Sequence, residues 1–309
     1  MDKQTVWSNV RGNSLKILLF GANGQVGWEL QRSLSPLGEL ISLDRRSTCL
    51  CGDLSDLSGI KDTVRQVTPD VIVNAAAYTS VDKAESDADT AHRINALAPG
   101  ALAQAATAAS TLLVHYSTDY VFDGSGSTPW VETDPTGPLN VYGTTKLAGE
   151  QLIANQCPNH LIFRTSWVYA ARGVNFAKTM LRLSQQRESL SVINDQFGAP
   201  TGADLLADAT AHAIRQVLSR PQDAGTYHLT AAGQTTWFDY TNYVIDQQIR
   251  AQVAPEIIVK TITPVATSAF PTVAQRPHNS LLNTAKLQHI FGLQLTPWQQ
   301  GVKRMLAEI

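Results

Sequence analysis

The chain of 309 residues has no excess of charge of either sign. It carries 24 Lys and Arg residues against 26 Asp and Glu residues, which gives a formal net charge of −2 at pH 7. A protein that binds the phosphate backbone of a nucleic acid concentrates positive charge on one face, and no Lys/Arg run in this sequence predicts such a face. We therefore expect no nucleic-acid partner.

Cysteine is scarce as well. The three cysteines are Cys49, Cys51 and Cys157, and no further Cys or His pair stands near the first two to complete a zinc site. An odd number of thiols without a paired framework is typical of a protein kept reduced. We therefore expect a cytoplasmic location and no structural zinc.

Long apolar runs are also missing. No stretch approaches the roughly 18 apolar residues that a membrane-spanning helix needs, and residues 1–14 lack the apolar centre of a secretory signal peptide. We expect no membrane association and interpret residues 1–14 as a leader or extension. Across the whole chain, 43% of the residues are hydrophobic and 16% are charged, a composition that suits a protein with a sizeable core.

Short apolar runs alternate with segments of helical periodicity through the first half of the chain. Predicted strands cover residues 15–20, 40–43, 71–74, 112–115 and 160–163, and predicted helices cover residues 26–34, 60–67, 91–109 and 141–155. This alternation predicts an α/β fold, a doubly wound parallel sheet with helices on both faces.

Turn-forming residues become more frequent in the second half. We predict a dinucleotide-binding Rossmann domain over residues 15–166, to which residues 203–232 return. A smaller C-terminal α/β lobe, formed by residues 167–202 and 233–309, would bind the substrate.

A glycine-rich loop follows the first predicted strand and precedes a helix. Gly21, Gly24 and Gly27 are spaced as G-x-x-G-x-x-G, with Gln25 and Val26 at the predicted helix start. Glycines permit a tight turn and the close approach of a phosphate, and the N–H groups of a helix start stabilise negative charge. The loop predicts a site for a dinucleotide pyrophosphate.

An acidic residue stands at the end of the next strand. Asp44 would accept hydrogen bonds from the adenosine ribose, which favours NAD, but the guanidinium of Arg45 or Arg46 could pair with the 2′-phosphate of NADP. The sequence leaves NADH and NADPH open, and it leaves open that the two arginines are merely solvated. Asp53, followed by Leu54, lies where a loop could bind the adenine.

Tyr142 and Lys146 stand four residues apart in a predicted helix, so both side chains can enter one cleft. A nearby ammonium favours the phenolate, so we expect Lys146 to lower the pKa of Tyr142. Such a tyrosine can protonate an alkoxide as hydride reaches the carbonyl carbon. The hydroxyl of Thr118, at the carboxyl end of a predicted strand, could bind the same oxygen.

Taken together, these residues resemble the extended short-chain dehydrogenase/reductases, and more narrowly the dTDP-4-dehydrorhamnose reductase family. The resemblance extends from about Leu15 to the C-terminus. It is carried by GANGQVGWE (21–29), NAAAYTSVDKAE (74–85), YSTDYVFDG (116–124), LNVYGTTKLAGE (139–150), FRTSWVY (163–169), INDQFGAPTG (193–202) and RPHNS (276–280).

The resemblance implies roles for particular residues. Tyr142 matches the proton donor, Lys146 its partner, which also contacts the cofactor, and Thr118 the assisting hydroxyl. Sugar-nucleotide contacts would include Asp119 and Trp167. The family's cofactor contacts match Gln25, Val26, Asp44, Asp53, Leu54, Ala77, Tyr78, Thr79 and Tyr116.

Three further residues are candidates for the substrate site. Trp167 and Phe176 offer flat apolar faces for a deoxysugar or a thymine ring, although core packing is an alternative role. The guanidinium of Arg276 could bind a diphosphate, or instead form a structural ion pair.

Some members of the family use magnesium at positions that match Glu29, Asp204 and Glu308, although the spacing of these residues alone predicts no site. Oxygen ligands would suit Mg²⁺, and solvated helix carboxylates are the alternative interpretation.

The resemblance implies NAD(P)H-dependent reduction of the C4 keto group of dTDP-4-dehydro-6-deoxy-L-mannose to dTDP-L-rhamnose. The sequence does not settle the number of subunits, and a homodimer is the default expectation. Two alternatives remain at this stage. One is a nucleotide-sugar epimerase or dehydratase of the same superfamily, and the other is a non-catalytic regulatory subunit on the same fold.

Overall fold

The computed structural model describes residues 14–252 and 256–309. All of the predicted leader except Ser14 lies outside this range. The strands are β1 (Leu15–Phe20), β2 (Gly38–Leu43), β3 (Val71–Asn74), β4 (Leu112–Thr118), β5 (His160–Thr165), β6 (Val168–Tyr169), β7 (Ser189–Ile193), β8 (Phe197–Gly198), β9 (Thr201–Gly202), β10 (Gly225–His228), β11 (Thr235–Thr236) and β12 (Thr261–Val265).

The α-helices are α1 (Gln25–Leu34), α2 (Leu57–Val67), α3 (Val81–Ala84), α4 (Ala88–His92), α5 (Ala98–Ala108), α6 (Val141–Gln156), α7 (Phe176–Ser184), α8 (Ala203–Ser219), α9 (Trp237–Ala251), α10 (Ala285–Phe291) and α11 (Trp298–Leu306). A π-helical segment (Arg93–Leu97) joins α4 to α5, so the helix predicted over residues 91–109 is interrupted. Short 3₁₀ helices cover Ser35–Leu37, Asp119–Val121, Pro221–Asp223 and Thr267–Ala269.

Six strands form one parallel sheet in the order β10-β5-β4-β3-β1-β2. β1 lies between β2 and β3. The chain therefore passes from β1 to β2 on one side and then crosses over to β3 on the other side of β1. This reversal opens a crevice at the carboxyl ends of the strands. The predicted doubly wound α/β fold is confirmed.

Alternating side chains of β1 build a core on each face of the sheet. Ile17 and Leu19 belong to a cluster shared with α1 and α8, whereas Leu18 and Phe20 belong to a cluster shared with α2 and α5. All four are fully buried, and each contributes roughly 1.5–3 kcal/mol. This two-sided burial fixes the strand whose carboxyl end leads into the glycine-rich loop.

The C-terminal part of the chain forms a smaller lobe over this edge. β7 and β12 pair in parallel outside the main sheet, and their buried residues pack with α9. Between the parts of this lobe, the chain returns to the main sheet, where α8 packs on one face and β10 pairs with β5.

None of the helices that the described residues form combines the length and the apolar composition needed to cross a bilayer. Cys49, Cys51 and Cys157 are free thiols.

Candidate active site

The glycine-rich loop approaches the backbone of the segment that follows β3 too closely for side chains. Gly21 has a φ of +86°, and a Cβ there would lie 2.6 Å from the backbone nitrogen of Ala76. A Cβ at Gly27 would overlap the carbonyl oxygen of Gly21. These two glycines therefore hold α1 against the sheet and leave the mouth of the loop open.

Helix α1 presents an uncapped N-terminus to this mouth. Its N-cap is Gly24, no side chain accepts a hydrogen bond from its first turn, and that turn holds no acidic residue. The unpaired N–H groups and the helix dipole therefore favour an anion at this position.

A cavity of about 610 Å³ extends from this loop along the carboxyl edge of the sheet. Apart from Gly27, which lies behind the loop, it is lined by every residue predicted to contact the cofactor: Gly21, Gly24, Gln25, Val26, Asp44, Arg45, Asp53, Leu54, Ala77, Tyr78, Thr79, Tyr116 and Lys146. Tyr142 also lines it.

Sequence reasoning missed part of the lining, which also includes Asn23, Gly52, Ala75, Ala76, Ser80, Ile94, Ser117, Thr165 and Val168. Ser117 and Thr165 could have been found, because they lie at the carboxyl ends of strands that the sequence predicts. Their buried hydroxyls have no hydrogen-bond partner among the described residues. Together with the open glycine loop, these unpaired groups fit a polar, dinucleotide-sized ligand.

Asp44 is already held in place at the end of β2. One carboxylate oxygen accepts a hydrogen bond of 2.7 Å from the backbone N–H of Arg46, and the other accepts one from the side chain of Asn23. Arg45 lines the cavity beside it, whereas Arg46 does not.

Tyr78 is positioned by a residue that the sequence gave no reason to select. Asn95, in the π-helical segment, accepts a hydrogen bond of 2.9 Å from the backbone N–H of Tyr78 and donates one of 3.0 Å to its carbonyl oxygen. A π-helical insertion shifts the helix surface by one residue. The segment therefore holds the loop after β3 against the cleft.

Thr118, Tyr142 and Lys146 converge although they come from different elements. Asn140 caps α6 by accepting a hydrogen bond of 2.8 Å from Gly143, which sets the start of the helix. Tyr142 and Lys146 reach the cavity from the first two turns of α6, and Thr118, at the end of β4, lies close enough to Tyr142 for its hydroxyl to lower the pKa of the phenol.

The expected lowering of the pKa of Tyr142 by Lys146 is wrong for this structure. Burial raises the pKa of Tyr142 well above its usual range, against the opposing hydrogen bond from Thr118. Burial also lowers the pKa of Lys146 to about 8, partly offset by the charge of Glu150. Removal from water dominates over the attraction between the two groups, so Tyr142 remains protonated.

Asp119 lies directly behind this group. It is 2% exposed, and its Oδ1 accepts a hydrogen bond of 3.1 Å from the hydroxyl of Thr118. Burial raises the pKa of the Asp119 carboxyl to about 7.

A second cavity, of about 330 Å³, lies between the sheet edge and the smaller lobe. It is lined by Trp167, Phe176 and Arg276, three of the residues predicted to bind the sugar nucleotide, whereas Asp119, the fourth outside the catalytic group, lines neither cavity. Trp237, which the sequence did not single out, stacks on Trp167 with ring centroids 3.5 Å apart and an interplanar angle of 11°. The cavity thus has an aromatic wall wide enough for a planar ring.

Arg276 also has the alternative role considered for it. Its Nη2 lies 2.6 Å from a carboxylate oxygen of Asp82 in α3, with the guanidinium one-quarter exposed. This ion pair ties the C-terminal segment to the sheet domain at the cavity wall. It leaves some donors of the guanidinium for a ligand, since the group carries five N–H bonds.

The acidic residues proposed for magnesium line a cavity of only about 30 Å³. Arg304 stands among them, with nitrogens 3.6 Å from Asp204 and 3.4 Å from Glu308. Within the described residues, no group of three or more His, Cys, Asp or Glu side chains could hold a metal ion. Glu29, Asp204 and Glu308 of a single chain therefore do not fit a magnesium site, because a guanidinium already supplies the positive charge.

Comparison with known proteins gives consistent matches over the length of the chain. The family model described as "RmlD substrate binding domain" matches residues 15–309. The dTDP-4-dehydrorhamnose reductase of Shigella flexneri is 59% identical over 295 residues, which cover 96% of this chain and 98% of that protein.

Two solved structures are similar in fold and sequence. The dTDP-4-dehydrorhamnose reductase from Clostridium acetobutylicum has a TM-score of 0.85 at 35% identity and covers 95% of this chain and 99% of its own. The enzyme of the same name from Bacillus anthracis, solved in complex with NADP, has a TM-score of 0.84 at 34% identity and covers 96% of this chain and 100% of its own.

Proposed function

This chain belongs to the dTDP-4-dehydrorhamnose reductase family, and from that membership we propose how its residues reduce a nucleotide-linked sugar. The chain is an NADPH-dependent oxidoreductase that converts the C4 keto group of dTDP-4-dehydro-6-deoxy-L-mannose to the C4 hydroxyl of dTDP-L-rhamnose. The observation that carries the mechanism is the placement of Tyr142 and Lys146 on the wall of the cofactor-sized cavity, with the buried Thr118 beside Tyr142.

The bound nicotinamide supplies the hydride that reduces the C4 carbonyl carbon. Tyr142 gives its phenolic proton to the C4 oxygen, so the O–H bond of the tyrosine breaks as that of the sugar forms. The high pKa of Tyr142 ensures that this proton is present at neutral pH. The hydroxyl of Thr118, which donates its single proton to Asp119 in the free enzyme, turns that proton to the same oxygen when the sugar is bound, and Lys146 stabilises the charge that develops on the phenol.

The cofactor is held by groups that recognise its ends. The N-terminus of α1 binds the pyrophosphate, Asp44 binds the ribose, and Asp53 and Leu54 border the adenine. Arg45 pairs with the 2′-phosphate that distinguishes NADPH from NADH. Ser117 and Thr165 offer hydroxyls to the nicotinamide end, where they would otherwise remain unpaired.

The sugar nucleotide occupies the second cavity. Trp167 and Trp237 form a stacked wall for the thymine ring, with Phe176 beside it, and Arg276 faces the diphosphate. Asp119 is buried beside Thr118 and lines neither cavity, so it bears on the sugar only through that hydroxyl. In this arrangement, residues 15–166 and 203–232 bind the cofactor, and residues 167–202 and 233–309 bind the substrate.

We place the enzyme in the cytoplasm as a homodimer. Three free thiols are in keeping with a reducing compartment, and a twofold-symmetric dimer is the commonest assembly of soluble enzymes. Cell fractionation and sedimentation of the purified protein test these two statements.

One assay tests the reaction. The purified chain is mixed with dTDP-4-dehydro-6-deoxy-L-mannose and either NADPH or NADH, and the absorbance of the reduced nicotinamide is followed. We expect one NADPH to be oxidised for each sugar reduced. An epimerase or dehydratase returns the hydride and would consume no NADPH, and a regulatory subunit would bind ligands without turnover.

A further inference from the structure

A buried chain of hydrogen bonds leads away from the catalytic lysine into the sheet. Nζ of Lys146 lies 3.1 Å from Nε2 of His115, and Nδ1 of the same imidazole lies 3.1 Å from Nδ2 of Asn74. All three side chains are 1% exposed. Asn74 and His115 face each other because they are paired residues of the neighbouring strands β3 and β4.

The orientation of the Asn74 side-chain amide is set by Ala76, which is not part of this chain of hydrogen bonds. Its Oδ1 accepts a hydrogen bond of 3.1 Å from the backbone N–H of Ala76, so its Nδ2 must face the imidazole. Rotating the amide by half a turn would leave the partly buried N–H of Ala76 facing another donor in place of this acceptor.

The tautomer of His115 follows from that orientation. An amide nitrogen only donates, so Nδ1 of His115 must accept, and a neutral imidazole then carries its proton on Nε2. Burial lowers the pKa of His115 well below its usual range, which excludes the doubly protonated ring at neutral pH. The Nε2–H therefore points at Lys146.

A hydrogen bond from Nε2–H requires a lone pair on Nζ, which an ammonium does not have. The uncharged amine of Lys146 can accept this bond and still donate one of its own, and its Nζ lies 2.5 Å from the carbonyl oxygen of Tyr116. An ammonium would instead place two donors opposite each other in a buried site.

We propose that His115, with its tautomer fixed by Asn74, is a positioning residue that favours the uncharged amine of Lys146 in the free enzyme. This inference rests on the proposed function, in which Tyr142 must keep its proton until the sugar is bound. An uncharged Lys146 does not draw that proton away. Once Tyr142 has delivered it, the negative charge of the phenolate favours the uptake of one proton from solvent, which converts the Lys146 amine to the ammonium.

The surroundings of Lys146 leave this balance to His115. Burial already lowers the pKa of Lys146 to about 8, so the amine and the ammonium are about equally populated near pH 8. The opposing group is Glu150 on the same helix, but its carboxylate is bound to Arg164 of β5. Tyr142, also on α6, remains neutral, and Asn74 from β3 carries no charge.

The first test reads the tautomer directly and needs no turnover. In protein labelled with ¹⁵N-histidine, the imidazole signals of His115 are identified by their loss in His115→Phe. We expect the neutral Nε2–H pattern at pH 8 in the free wild-type enzyme. The Nδ1–H pattern or an imidazolium would overturn the proposal, whether or not the chain reduces the proposed sugar.

The second test uses an isosteric change that reverses the direction of both hydrogen bonds of His115. In Asn74→Asp, the carboxylate accepts from Nδ1–H, so Nε2 becomes the acceptor for a charged Lys146. That charge should lower the pKa of Tyr142 by about 1–3 units, and kcat should fall at alkaline pH values at which the wild-type rate is maintained. Asn242→Asp makes the same change in α9, where the amide bonds only Phe238, and should keep the wild-type profile.

A double variant shows whether the new carboxylate acts through the imidazole of His115 or directly through its charge. If the effect passes through the imidazole, adding Asn74→Asp to His115→Phe should not move the pH profile further. An equal displacement in the presence and absence of His115 would overturn the proposal.

Discussion

Arg164 and Glu150 form a bidentate ion pair behind the catalytic helix. Nε of Arg164 lies 3.0 and 3.1 Å from the two carboxylate oxygens, and Nη2 lies 2.7 Å from Oε2. The side chains are only 8% and 5% exposed. Since Glu150 follows Lys146 by one helical turn, this pair fixes α6 on β5 and thereby fixes the depth of the lysine.

Glu150→Gln should destabilise the protein by about 3–5 kcal/mol, because it leaves a buried guanidinium without its counter-charge. Urea unfolding measures the change. The matched control is Glu188→Gln, which breaks the exposed pair with Lys260 and should cost less than about 1 kcal/mol. Equal costs would contradict a special role for the buried pair.

Tyr142→Phe should lower kcat by about 100-fold or more while the Kd for NADPH stays within a few-fold, because only the transferred proton is lost. Stopped-flow turnover and cofactor titration measure the two quantities. Tyr243→Phe removes a hydroxyl bonded to the Gln299 carbonyl, outside both cavities, and serves as the control. A kcat near the wild-type value in Tyr142→Phe would refute the proton-donor assignment.

Arg45→Ala should reduce kcat/KM for NADPH by about 10- to 150-fold and change that for NADH much less, since a charge-assisted hydrogen bond contributes about 1.5–3 kcal/mol. Arg46→Ala is the matched control, because the neighbouring arginine does not line the cavity. If both variants lose NADPH preference equally, the general charge of the loop, and not Arg45, selects the cofactor.

Trp237→Ala should raise the KM for the sugar nucleotide by about 5- to 150-fold, in line with the roughly 1–3 kcal/mol that stacking of a base on an aromatic ring provides. The Kd for NADPH should not change, because Trp237 lines only the second cavity. An unchanged KM would show that the thymine ring binds elsewhere.

Asp119 should make stability decrease as the pH rises. Its folded pKa of about 7 lies above the unfolded value of 3.8, so the folded state binds the extra proton between these pH values and loses stability as pH rises through that range. In Asp119→Asn, which cannot ionise, this loss should be absent. Relative to the wild type, the variant should therefore gain up to about 4 kcal/mol between pH 4 and pH 8 in chemical unfolding. A pH-independent difference would contradict the raised pKa.

The sheet and its helices could be predicted because their cause is local. The sequence shows the apolar runs of β1 and β4, the glycines after β1 and the turn residues between elements. Helix 91–109 was predicted as continuous, since the π-helical segment depends on Asn95 bonding to Tyr78, a contact between residues 17 positions apart.

The cofactor residues could be predicted for a related reason. Residues at the carboxyl ends of parallel strands meet at one edge whatever the details of packing, so the strand pattern placed Gly21 and Asp44 beside the same cavity. The aromatic wall could not be predicted in the same way. Trp237 reaches Trp167 only through the packing of α9, and no spacing in the sequence connects the two.

The sequence by itself determined the order of strands and helices, the glycine loop and the helical spacing of Tyr142 and Lys146, because these depend on neighbours along the chain. Only the tertiary structure decided the protonation of Tyr142 and Lys146. Removal from water raises the pKa of Tyr142 and lowers that of Lys146. His115 of β4, which is held by Asn74 of β3, contacts the lysine. Burial and contacts between distant segments set these energies, and neither is encoded in the spacing of two residues on one helix.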